Sequence, residues 1–305
     1  MECFSNMDDV YIHMSNKVKS SPFVSPRGVK VRELTAQTFE LSNPRKRIIG
    51  NGLRKVSLSF SVGEFLWYLR GSNELEIMQY YSKMYPNFSD DGIYLHGAYG
   101  KRIFGEEKVL NSSWERIKQL LREDPDSRRA VLPIYNSGDV GYHSNDIPCT
   151  CLVQYFIRND KLDCIVYMRA NDLYLGTPYD VFSFSMLQEQ MACELGVELG
   201  TYTHMVGSLC VYEKNQLRIE AIADSKRENV IEMPRMTLLS DVQKQKVLKN
   251  EENLRKHKVA DYEGLDRYWR NIVYILEIKA NKDFIPTEDA YDYVRNYFDI
   301  LRTNV

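Results

Sequence analysis

The sequence lacks the features that would direct the chain into a membrane, a disulfide framework or a structural metal site. No apolar run among its 305 residues approaches the roughly 20 residues that span a bilayer, and residues 1–9 are acidic, without the apolar core of a signal peptide. The six cysteines form no CxxC pair and have no partner at zinc-finger spacing. We therefore expect a cytoplasmic protein with reduced cysteines, no metal and no membrane contact.

The chain also lacks a strong charge of either sign. Its 40 basic and 42 acidic residues leave a formal net charge of -2, so we do not expect nucleic acid as a partner. Any phosphate site must therefore be a local concentration of arginine. The 44% of hydrophobic residues indicates a globular protein with one large domain or two, and its 21 tyrosines and 12 phenylalanines can pack a core and stack on a planar base.

What the sequence does have is a mixture of strand and helix patterns. Hydrophobic periodicity predicts strands at residues 29–41, 130–135, 151–157, 162–168 and 201–212. It predicts helices at residues 8–18, in the second half of 57–69, after 72–73, and at 112–122, 181–195, 243–258, 262–279 and 287–301. The charged helices at the end indicate a division into a main domain, residues 1–235, and a C-terminal helical extension packed on it, residues 236–305.

Residues with chemical potential concentrate between Ser127 and Tyr212. Pro148-Cys149 is preceded by the pair Arg128-Arg129, and Arg169 follows the cysteine by twenty residues. Nearby positive charge stabilises a thiolate, and guanidinium groups bind phosphate in a bidentate manner. A protein in which a sulfur nucleophile acts on an anionic nucleotide would use both the stabilised thiolate and the arginine phosphate site. The alternatives are a cysteine that is only a small buried hydrophobe and an arginine pair on a solvated surface.

Glu64 lies inside an apolar helical pattern that ends at Gly71. If its carboxylate were buried among Val62, Phe65 and Leu66, burial would raise its pKa and a partner would be needed. The pattern is equally compatible with a glutamate on the solvated face of the helix. Cys149 and Cys151, two residues apart, would point to the same side of a strand.

The order and spacing of these residues resemble the thymidylate synthase family. The resemblance spans residues 27–212 with gaps, and the residues that carry it are Arg27, Glu64 with Leu66-Trp67 and Gly71, Tyr99-Gly100-Lys101, Ser127-Arg128-Arg129, Pro148-Cys149, Arg169, Asp172, Leu175-Gly176 and Pro178-Tyr179. It implies a mixed α/β (α+β) fold, in which a large twisted mixed sheet is flanked by helices. Residues 1–235 would then be the catalytic domain.

The resemblance also implies roles for these residues. Cys149 would add to C6 of a pyrimidine, Glu64 would order water and move protons at the base, and Tyr99 would help to remove the C5 proton. Arg169 would contact both the sulfur and the 5′-phosphate. The other phosphate ligands would be Arg27, Arg128 and Arg129, and the last two come from the partner subunit in the family, which implies a homodimer.

The implied cosubstrate is 5,10-methylenetetrahydrofolate. The resemblance assigns Asp172 to its pterin ring and adds Trp67, Leu175 and Gly176 to the folate site. On the nucleotide side it assigns Ala170 and Tyr212 to substrate binding.

The departures from the family pattern concern substrate choice. Asp180 stands where thymidylate synthases have an asparagine against the base. An amide offers one donor and one acceptor, which suits uracil, whereas a carboxylate offers acceptors and suits the cytosine amine. This exchange resembles the deoxycytidylate and cytidylate hydroxymethylases. The alternative is that Asp180 only caps a helix that begins near Val181.

Other departures loosen the sugar end of the pattern and permit a ribose. Ala170 replaces the family's serine, while Thr150 and Cys210 replace histidines. The sequence given ends in LRTNV, residues 301–305, without the Pro-Val-Ala-Ile-like tail that closes a thymidylate synthase site. Without that closure, we expect water to quench the exocyclic methylene group and leave a hydroxymethyl group.

Three hypotheses follow from the sequence. The leading one is a cytidylate or deoxycytidylate 5-hydroxymethyltransferase that uses the folate and releases tetrahydrofolate. The first alternative is a thymidylate synthase that methylates dUMP in an unusual pocket. The second is a non-catalytic nucleotide- or RNA-binding relative, against which the retention of Cys149, Arg169 and Glu64 argues.

Overall fold

The computed structural model describes residues 1–105, 112–226 and 230–302. Its chain divides into two compact units. A sheet unit contains Met1–Val56, Arg116–Gly141 and Pro148–Met233, and a helical unit contains Ser57–Glu115, Tyr142–Ile147 and Pro234–Val305. The division into domains at residue 235 stays a prediction.

The sheet unit is built on a mixed seven-stranded sheet. In the described part of the chain the strands are β1 Glu2–Phe4, β2 Phe23–Val24, β3 Val31–Leu41, β4 Val131–Pro133, β5 Thr150–Arg158, β6 Lys161–Asp172 and β7 Glu198–Tyr212. Their order is β1-β3-β7-β6-β5-β4, with β2 paired to β3. β7 runs parallel to β6 and antiparallel to β3, and β5 and β6 form the predicted antiparallel hairpin.

The two faces of this sheet differ in burial. The helices of the sheet unit are α1 Met7–Val18, α6 Thr177–Leu195 and α7 Gln216–Ala223, together with most of α5 Ser113–Glu123. α6 packs on β6 and β7, and strand residues on that face, such as Val166, Tyr202 and His204, are fully buried. On the opposite face Tyr167 and Met205 are paired in the sheet and are each 38% exposed.

The helical unit contains α2 Leu58–Arg70, α3 Leu75–Tyr81, α4 Tyr99–Phe104, α8 Asp241–Arg255, α9 Arg267–Ala280 and α10 Asp292–Arg302. Ser57 caps the start of α2 through its side chain, and Gly71 ends the helix with a left-handed φ of 68°. α9 is buried along most of its length and packs on α2 and α8, because its apolar residues surround most of the helix. No described helix is both long and apolar enough to cross a membrane.

The mixed sheet flanked by helices confirms the predicted fold class. The largest difference within the site region is the start of α6, which begins at Thr177 and not near Val181. Pro178 stands in its first turn, where a fixed φ and a missing N–H suit a helix start. Residues 303–305, the end of the tail on which the sequence argument relied, lie outside the described residues.

Candidate active site

The hairpin of β5 and β6 brings Cys149 and Arg169 together in the sheet unit. The amide of Arg169 donates to the Cys149 carbonyl oxygen at 2.8 Å, and its Nε donates to the Pro148 carbonyl oxygen at 2.9 Å. The guanidinium group is thereby tied to the backbone that carries the partly exposed thiol. Positive charge at this position favours a thiolate.

Cys149 and Cys151 do not share the regular strand on which the prediction that they point to one side depended, so that prediction stays untested. Cys149 precedes β5, whose register shifts between Thr150 and Leu152. The Cys151 carbonyl oxygen, at this bulge, accepts from the amides of Ile134 and Tyr135 at 2.9 and 3.1 Å. Burial raises the pKa of the Cys151 thiol, so Cys151 is a poor candidate for the nucleophile.

The ends of β6 and β7 add Asp172, Cys210 and Tyr212 to the surroundings of Cys149. Burial, with smaller contributions from the charges of Asp172 and Cys149, raises the pKa of Cys210 to about 12, so this thiol stays protonated. Burial also raises the pKa of Tyr212, with contributions from Cys210, Asp172 and Cys149, while the charge of Arg27 lowers it. These four side chains and Arg27 are therefore close enough to act on one another electrostatically.

Asp172 closes a tight turn that leads into α6. One oxygen, Oδ1, accepts from the amide of Leu175, and the amide of Gly176 donates to the Asp172 carbonyl oxygen at 2.9 Å. The other oxygen, Oδ2, is buried and has no hydrogen-bond partner among the described residues. Burial raises the pKa of this carboxyl group to about 6, against the lowering effect of backbone hydrogen bonds. An unsatisfied buried acceptor of this kind suits a ligand that brings N–H donors.

Asp180 does not cap α6, so the alternative based on capping was wrong. The N-cap is Gly176, which makes no side-chain capping bond, and Asp180 lies three residues inside the helix. Its Oδ2 accepts from Asn171 Nδ2 at 2.8 Å. Burial raises the pKa of this partly exposed carboxyl group to about 7, and the bond from Asn171 lowers it. Among the described residues no cation contributes to that pKa.

The amide oxygen of Asn171 is held by Thr177 and by His204, which in turn contacts Tyr202. Asn171 Oδ1 accepts from the Thr177 hydroxyl group at 2.7 Å and from His204 Nε2 at 3.1 Å. The other ring nitrogen, Nδ1 of His204, lies 2.9 Å from the Tyr202 hydroxyl group. All four side chains are buried, and burial lowers the pKa of His204 to about 3, so the imidazole is neutral.

In the helical unit Glu64 is buried, with 7% of its surface exposed, so it does not lie on a solvated face of α2. It accepts a hydrogen bond from the Tyr85 hydroxyl group at 2.9 Å. Burial, followed by the charge of Glu64, raises the pKa of Tyr85 well above its ordinary value. Tyr85 therefore keeps its proton and is a hydrogen-bond donor to the glutamate.

Trp67 and Tyr99 occupy the same part of the helical unit. The Trp67 ring meets Tyr85 edge-on at 6.2 Å, and its buried Nε1 has no hydrogen-bond partner in the described ranges. Tyr99 begins α4 and lies 5.6 Å from the ring of Tyr68. α4 can approach α2 this closely because residue 100 is a glycine. A Cβ at this position would lie only 2.5 Å from the Tyr68 backbone.

The arginines predicted to bind phosphate are dispersed within the sheet unit. Arg27 is exposed in a short turn, with a left-handed φ of 51°. Arg128 and Arg129 are exposed before β4. Ala170 pairs with Ser208 between β6 and β7, and Leu175 is exposed in the turn before α6.

Sequence reasoning missed Asn171, His204, Tyr202 and Tyr85. Asn171 stands inside the quoted motif, but nothing in its spacing reveals a bond to Asp180. Tyr202 and His204 do carry a sequence signal, because two polar residues with the period of a strand lie in a segment predicted to be a strand. Tyr85 is 21 residues from Glu64, in a loop-rich segment, so only the fold brings the two together.

Comparison with known proteins now gives the family. The thymidylate synthase family model matches residues 15–269. The chain is similar to the "Deoxyuridylate hydroxymethyltransferase" of Bacillus phage SP01, with 34% identity over 226 residues, which are 70% of this chain and 59% of the relative. It is also similar to the protein of the same description from Pseudomonas phage M6, with 32% identity over 184 residues, which are 59% of this chain and 52% of the relative.

The chain therefore belongs to the thymidylate synthase family, and the resemblance seen in its motifs is confirmed. It has hydroxymethyltransferases among its relatives. The aligned part spans only a little over half of the length of these curated relatives.

Proposed function

We propose that the chain is a pyrimidine nucleotide 5-hydroxymethyltransferase that converts CMP or dCMP to the 5-hydroxymethyl nucleotide with 5,10-methylenetetrahydrofolate. The observation that carries the proposal is Asp180, whose Oδ2 is held as a hydrogen-bond acceptor by Asn171 at 2.8 Å. A carboxylate held in this way presents acceptors to the base. The cytosine amine is a donor, so it can bond to Asp180 directly.

The ring nitrogen N3 is the second contact that we propose for Asp180. Cytosine N3 is an acceptor, so one proton must lie between it and the carboxylate. The raised pKa of Asp180, about 7, makes such a shared proton available near neutral pH. Protonation at N3 withdraws electrons from C6 and makes that carbon a better electrophile. Asp180 would therefore serve both recognition and catalysis.

We propose Cys149 as the nucleophile. Its thiolate forms a bond to C6, and the electron pair of the C5–C6 double bond becomes available at C5 for attack on the one-carbon unit. Tyr99 helps to remove the C5 proton, and Glu64 orders water and moves protons at the base. Loss of the C5 proton breaks the bond between the one-carbon unit and the folate nitrogen, so tetrahydrofolate leaves and an exocyclic methylene group remains at C5. Water adds to this group, and the C6–S bond breaks to release the thiolate. Arg169 is tied to the backbone of Pro148 and Cys149, and its positive charge would favour the ionised form of the thiol.

The residues of the proposed folate site fit the group. When bound, 5,10-methylenetetrahydrofolate supplies a one-carbon unit at the oxidation level of formaldehyde. Asp172 offers a buried Oδ2 without a partner in the described ranges, which can accept from pterin N–H groups. Leu175 and Gly176 form the turn beside it. In the helical unit, Trp67 offers an aromatic face and a buried N–H group.

We further propose a homodimer in which Arg128 and Arg129 bind the phosphate of the partner subunit's substrate, together with Arg27 and Arg169 of the subunit that carries the cysteine. Two features support this. The arginine pair is exposed, and the sheet face opposite α6 leaves Tyr167 and Met205 accessible. An open apolar sheet face suits burial against a second copy. On the sugar side, Ala170 and Tyr212 would bind the nucleotide and leave room for a ribose.

A second candidate is hydroxymethylation of dUMP, because both relatives carry the description of deoxyuridylate hydroxymethyltransferases. A protonated Asp180 presents one donor and one acceptor, as an asparagine does, and could accept uracil below pH 7. Methylation of dUMP, as in a thymidylate synthase, and nucleotide binding without catalysis are the remaining alternatives.

The deciding experiment offers the protein each of CMP, dCMP, UMP and dUMP with formaldehyde and tetrahydrofolate. We expect mass spectrometry to find a nucleotide heavier by one CH2O from a cytidylate and no rise in dihydrofolate absorbance. The same product from dUMP alone would establish the second candidate. A methylated nucleotide with dihydrofolate formation would identify a thymidylate synthase, and no product from any nucleotide would contradict the proposal.

The role of the nucleophile is tested by tritium at C5 of the nucleotide. We expect Cys149→Ala to abolish both turnover and tritium release, because neither occurs without addition at C6. Cys151→Ala is the matched control, since this thiol lies two residues away and has a raised pKa. An active Cys149→Ala protein would contradict the assignment.

The shared site is tested by mixing two inactive proteins, Arg129→Ala and Cys149→Ala. After subunit exchange, a hybrid dimer would contain one site with both intact residues, so activity should return. Absence of rescue after confirmed exchange, or a monomer in solution, would contradict the proposed dimer.

A further inference from the structure

We propose that His204, supported by Tyr202, is a positioning residue that sets the base specificity of the site by holding the Asn171 amide in the orientation that donates to Asp180. This inference rests on the proposed function, because it concerns the recognition of cytosine. Neither residue belongs to the motifs that identify the family in this chain. Both lie on β7, whereas Asp172 ends β6 and Asp180 lies on α6.

The contacts form a chain with one direction. The Tyr202 hydroxyl group lies 2.9 Å from His204 Nδ1, His204 Nε2 lies 3.1 Å from Asn171 Oδ1, and Asn171 Nδ2 lies 2.8 Å from Asp180 Oδ2. A neutral imidazole has one N–H group and one lone pair. If Tyr202 donates to Nδ1, Nε2 carries the proton and donates to Asn171. Every bond in the chain then points toward Asp180.

The opposite orientation of the amide has a clear cost. With Asn171 turned over, its oxygen would face Asp180 Oδ2 and its NH2 group would face the Nε2–H group of His204. Two acceptors and two donors would then be opposed, and each group left unsatisfied away from water is unfavourable. The neutral tautomer of His204 therefore decides whether Asp180 meets the nitrogen or the oxygen of the Asn171 amide.

Packing holds the imidazole in place. The His204 ring stacks on Phe39 at 5.1 Å with an interplanar angle of 27° and on the Tyr202 ring at 5.9 Å with an angle of 23°. β7 is an interior strand, and His204 is paired with Phe39 on β3 and with Val166 on β6. Burial lowers the pKa of His204 to about 3, so the ring remains neutral over the range in which the enzyme would work.

Thr177 supports the same orientation from the helix. Its hydroxyl group lies 2.7 Å from Asn171 Oδ1 and 3.2 Å from the Asp172 carbonyl oxygen. A hydroxyl group can donate to either oxygen, so it does not by itself fix the amide. His204 has no such freedom once Tyr202 donates to Nδ1. His204, and not Thr177, therefore sets the orientation of the Asn171 amide.

The consequence is that Asp180 reaches the base as an acceptor. Loss of the Nε2–H donor would free the Asn171 amide to turn, and a turned amide favours a protonated Asp180 whose O–H group donates to Asn171. The carboxyl group would then meet cytosine and uracil with less difference between them. We expect loss of this donor to lower the preference for cytosine over uracil while it changes the stability of the fold little.

The test compares four variants by kcat/KM for CMP and UMP, each also in the deoxy form, and by direct binding of the four nucleotides without folate. His204→Phe keeps an aromatic ring but removes the donor, and we expect the preference for cytosine to fall about tenfold. His204→Gln restores an N–H group near Nε2 and should recover most of the preference. Tyr202→Phe should lower it less. Tyr155→Phe, which removes a hydroxyl group from another buried tyrosine of the sheet, should leave it unchanged.

An independent measurement needs neither substrate nor turnover. Nitrogen NMR of the wild-type protein labelled at histidine distinguishes the two neutral tautomers, and we expect Nε2–H for His204. The Nδ1–H tautomer would overturn the inference whatever the substrate. A wild-type preference for cytosine that is unchanged in His204→Phe would overturn it while leaving the proposed function intact. A wild-type enzyme without that preference would overturn the proposed function, and the specificity role of His204 with it.

Discussion

Helix α6 carries two carboxylates in opposite surroundings. Glu189, in its second half, is 1% exposed and accepts from Arg45 Nε at 2.7 Å and from the fully buried Arg47. Asp180, in its first turn, has a single hydrogen bond from a neutral amide and no cation among the described residues that affects its pKa. Both groups come from the same element of the sheet unit, so the difference lies in what packs against the two halves of the helix.

This difference supports the proposal that Asp180 is held for a ligand, whereas Glu189 is structural. The charge of Glu189 is compensated by guanidinium groups, and removing one partner of such a buried ion pair leaves an uncompensated buried charge. A carboxylate with one neutral donor keeps unused acceptor capacity and a raised pKa, about 7 for Asp180. Such a group can respond to a base that enters the site. The contrast gives four predictions, in order of decreasing effect.

The largest effect is expected from Glu189→Gln. This change leaves the buried guanidinium group of Arg47 without its counter-charge, so we expect the free energy of unfolding to fall by about 3–5 kcal/mol. Urea denaturation at neutral pH measures it. Asp180→Asn is the matched control on the same helix and should change stability by less than about 1 kcal/mol. Equal losses in the two variants would remove the distinction between the carboxylates.

The second prediction concerns the base. A carboxylate faces uracil O4 acceptor to acceptor, whereas an amide can donate to it, so Asp180→Asn should shift kcat/KM from cytidylates toward uridylates by about ten- to hundredfold. The variant should also turn over cytidylate more slowly, because it loses the proton shared with N3. The ratio of kcat/KM values for the four nucleotides decides the matter. An unchanged ratio would leave Asp180 without a role in recognition.

The third prediction is a pH dependence of stability. The pKa of Asp180 rises from 3.8 to about 7 on folding, so between these values the folded state binds the extra proton. The stabilisation that the folded state gains from this proton is fully present below pH 3.8 and is lost as the pH rises to about 7. Relative to Asp180→Asn, the wild type should lose about 1–3 kcal/mol across this window, a range reduced because the side chain keeps solvent contact. Unfolding curves of the two proteins from pH 4 to 8 measure it; a constant difference would contradict the raised pKa.

The smallest effects are expected at the two glycines that bound α6. A Cβ at Gly176 would lie 3.0 Å from Asn171 Nδ2 and 3.1 Å from Asp180 Oδ2, so Gly176→Ala should press on their bond and lower the base preference about two- to fivefold. Gly196→Ala meets no atom within 4 Å but has a φ of 73°, so it should cost only about 1 kcal/mol of stability. Kinetics and thermal unfolding of both variants separate the effects. A lower base preference in Gly196→Ala would indicate that general destabilisation is the cause.

Structural features that depend on local sequence signals were predictable, and those that depend on distant neighbours were not. The hairpin of β5 and β6, the left-handed glycine that ends α2 and the mixed sheet were predictable, because alternation and chain-terminating glycines are local properties. The start of α6 was not, because Gly176 at the N-cap gives no side-chain signal and Asp180 mimics a cap. Whether Glu64 is buried was also open, since an apolar helix with one carboxylate fits two orientations.

The sequence by itself determined the family and the residue types of the chemistry: a cysteine followed by an arginine, a glutamate in an apolar helix, and an aspartate in the position of an asparagine. These are matters of order and spacing along one chain. Only the tertiary structure decided what surrounds each group, such as Tyr85 on Glu64, the arginines on Glu189, and the path from Tyr202 to Asp180. The physical reason is that burial and hydrogen bonding depend on neighbours that are distant in sequence, and these neighbours set the pKa and the direction of every proton in the site.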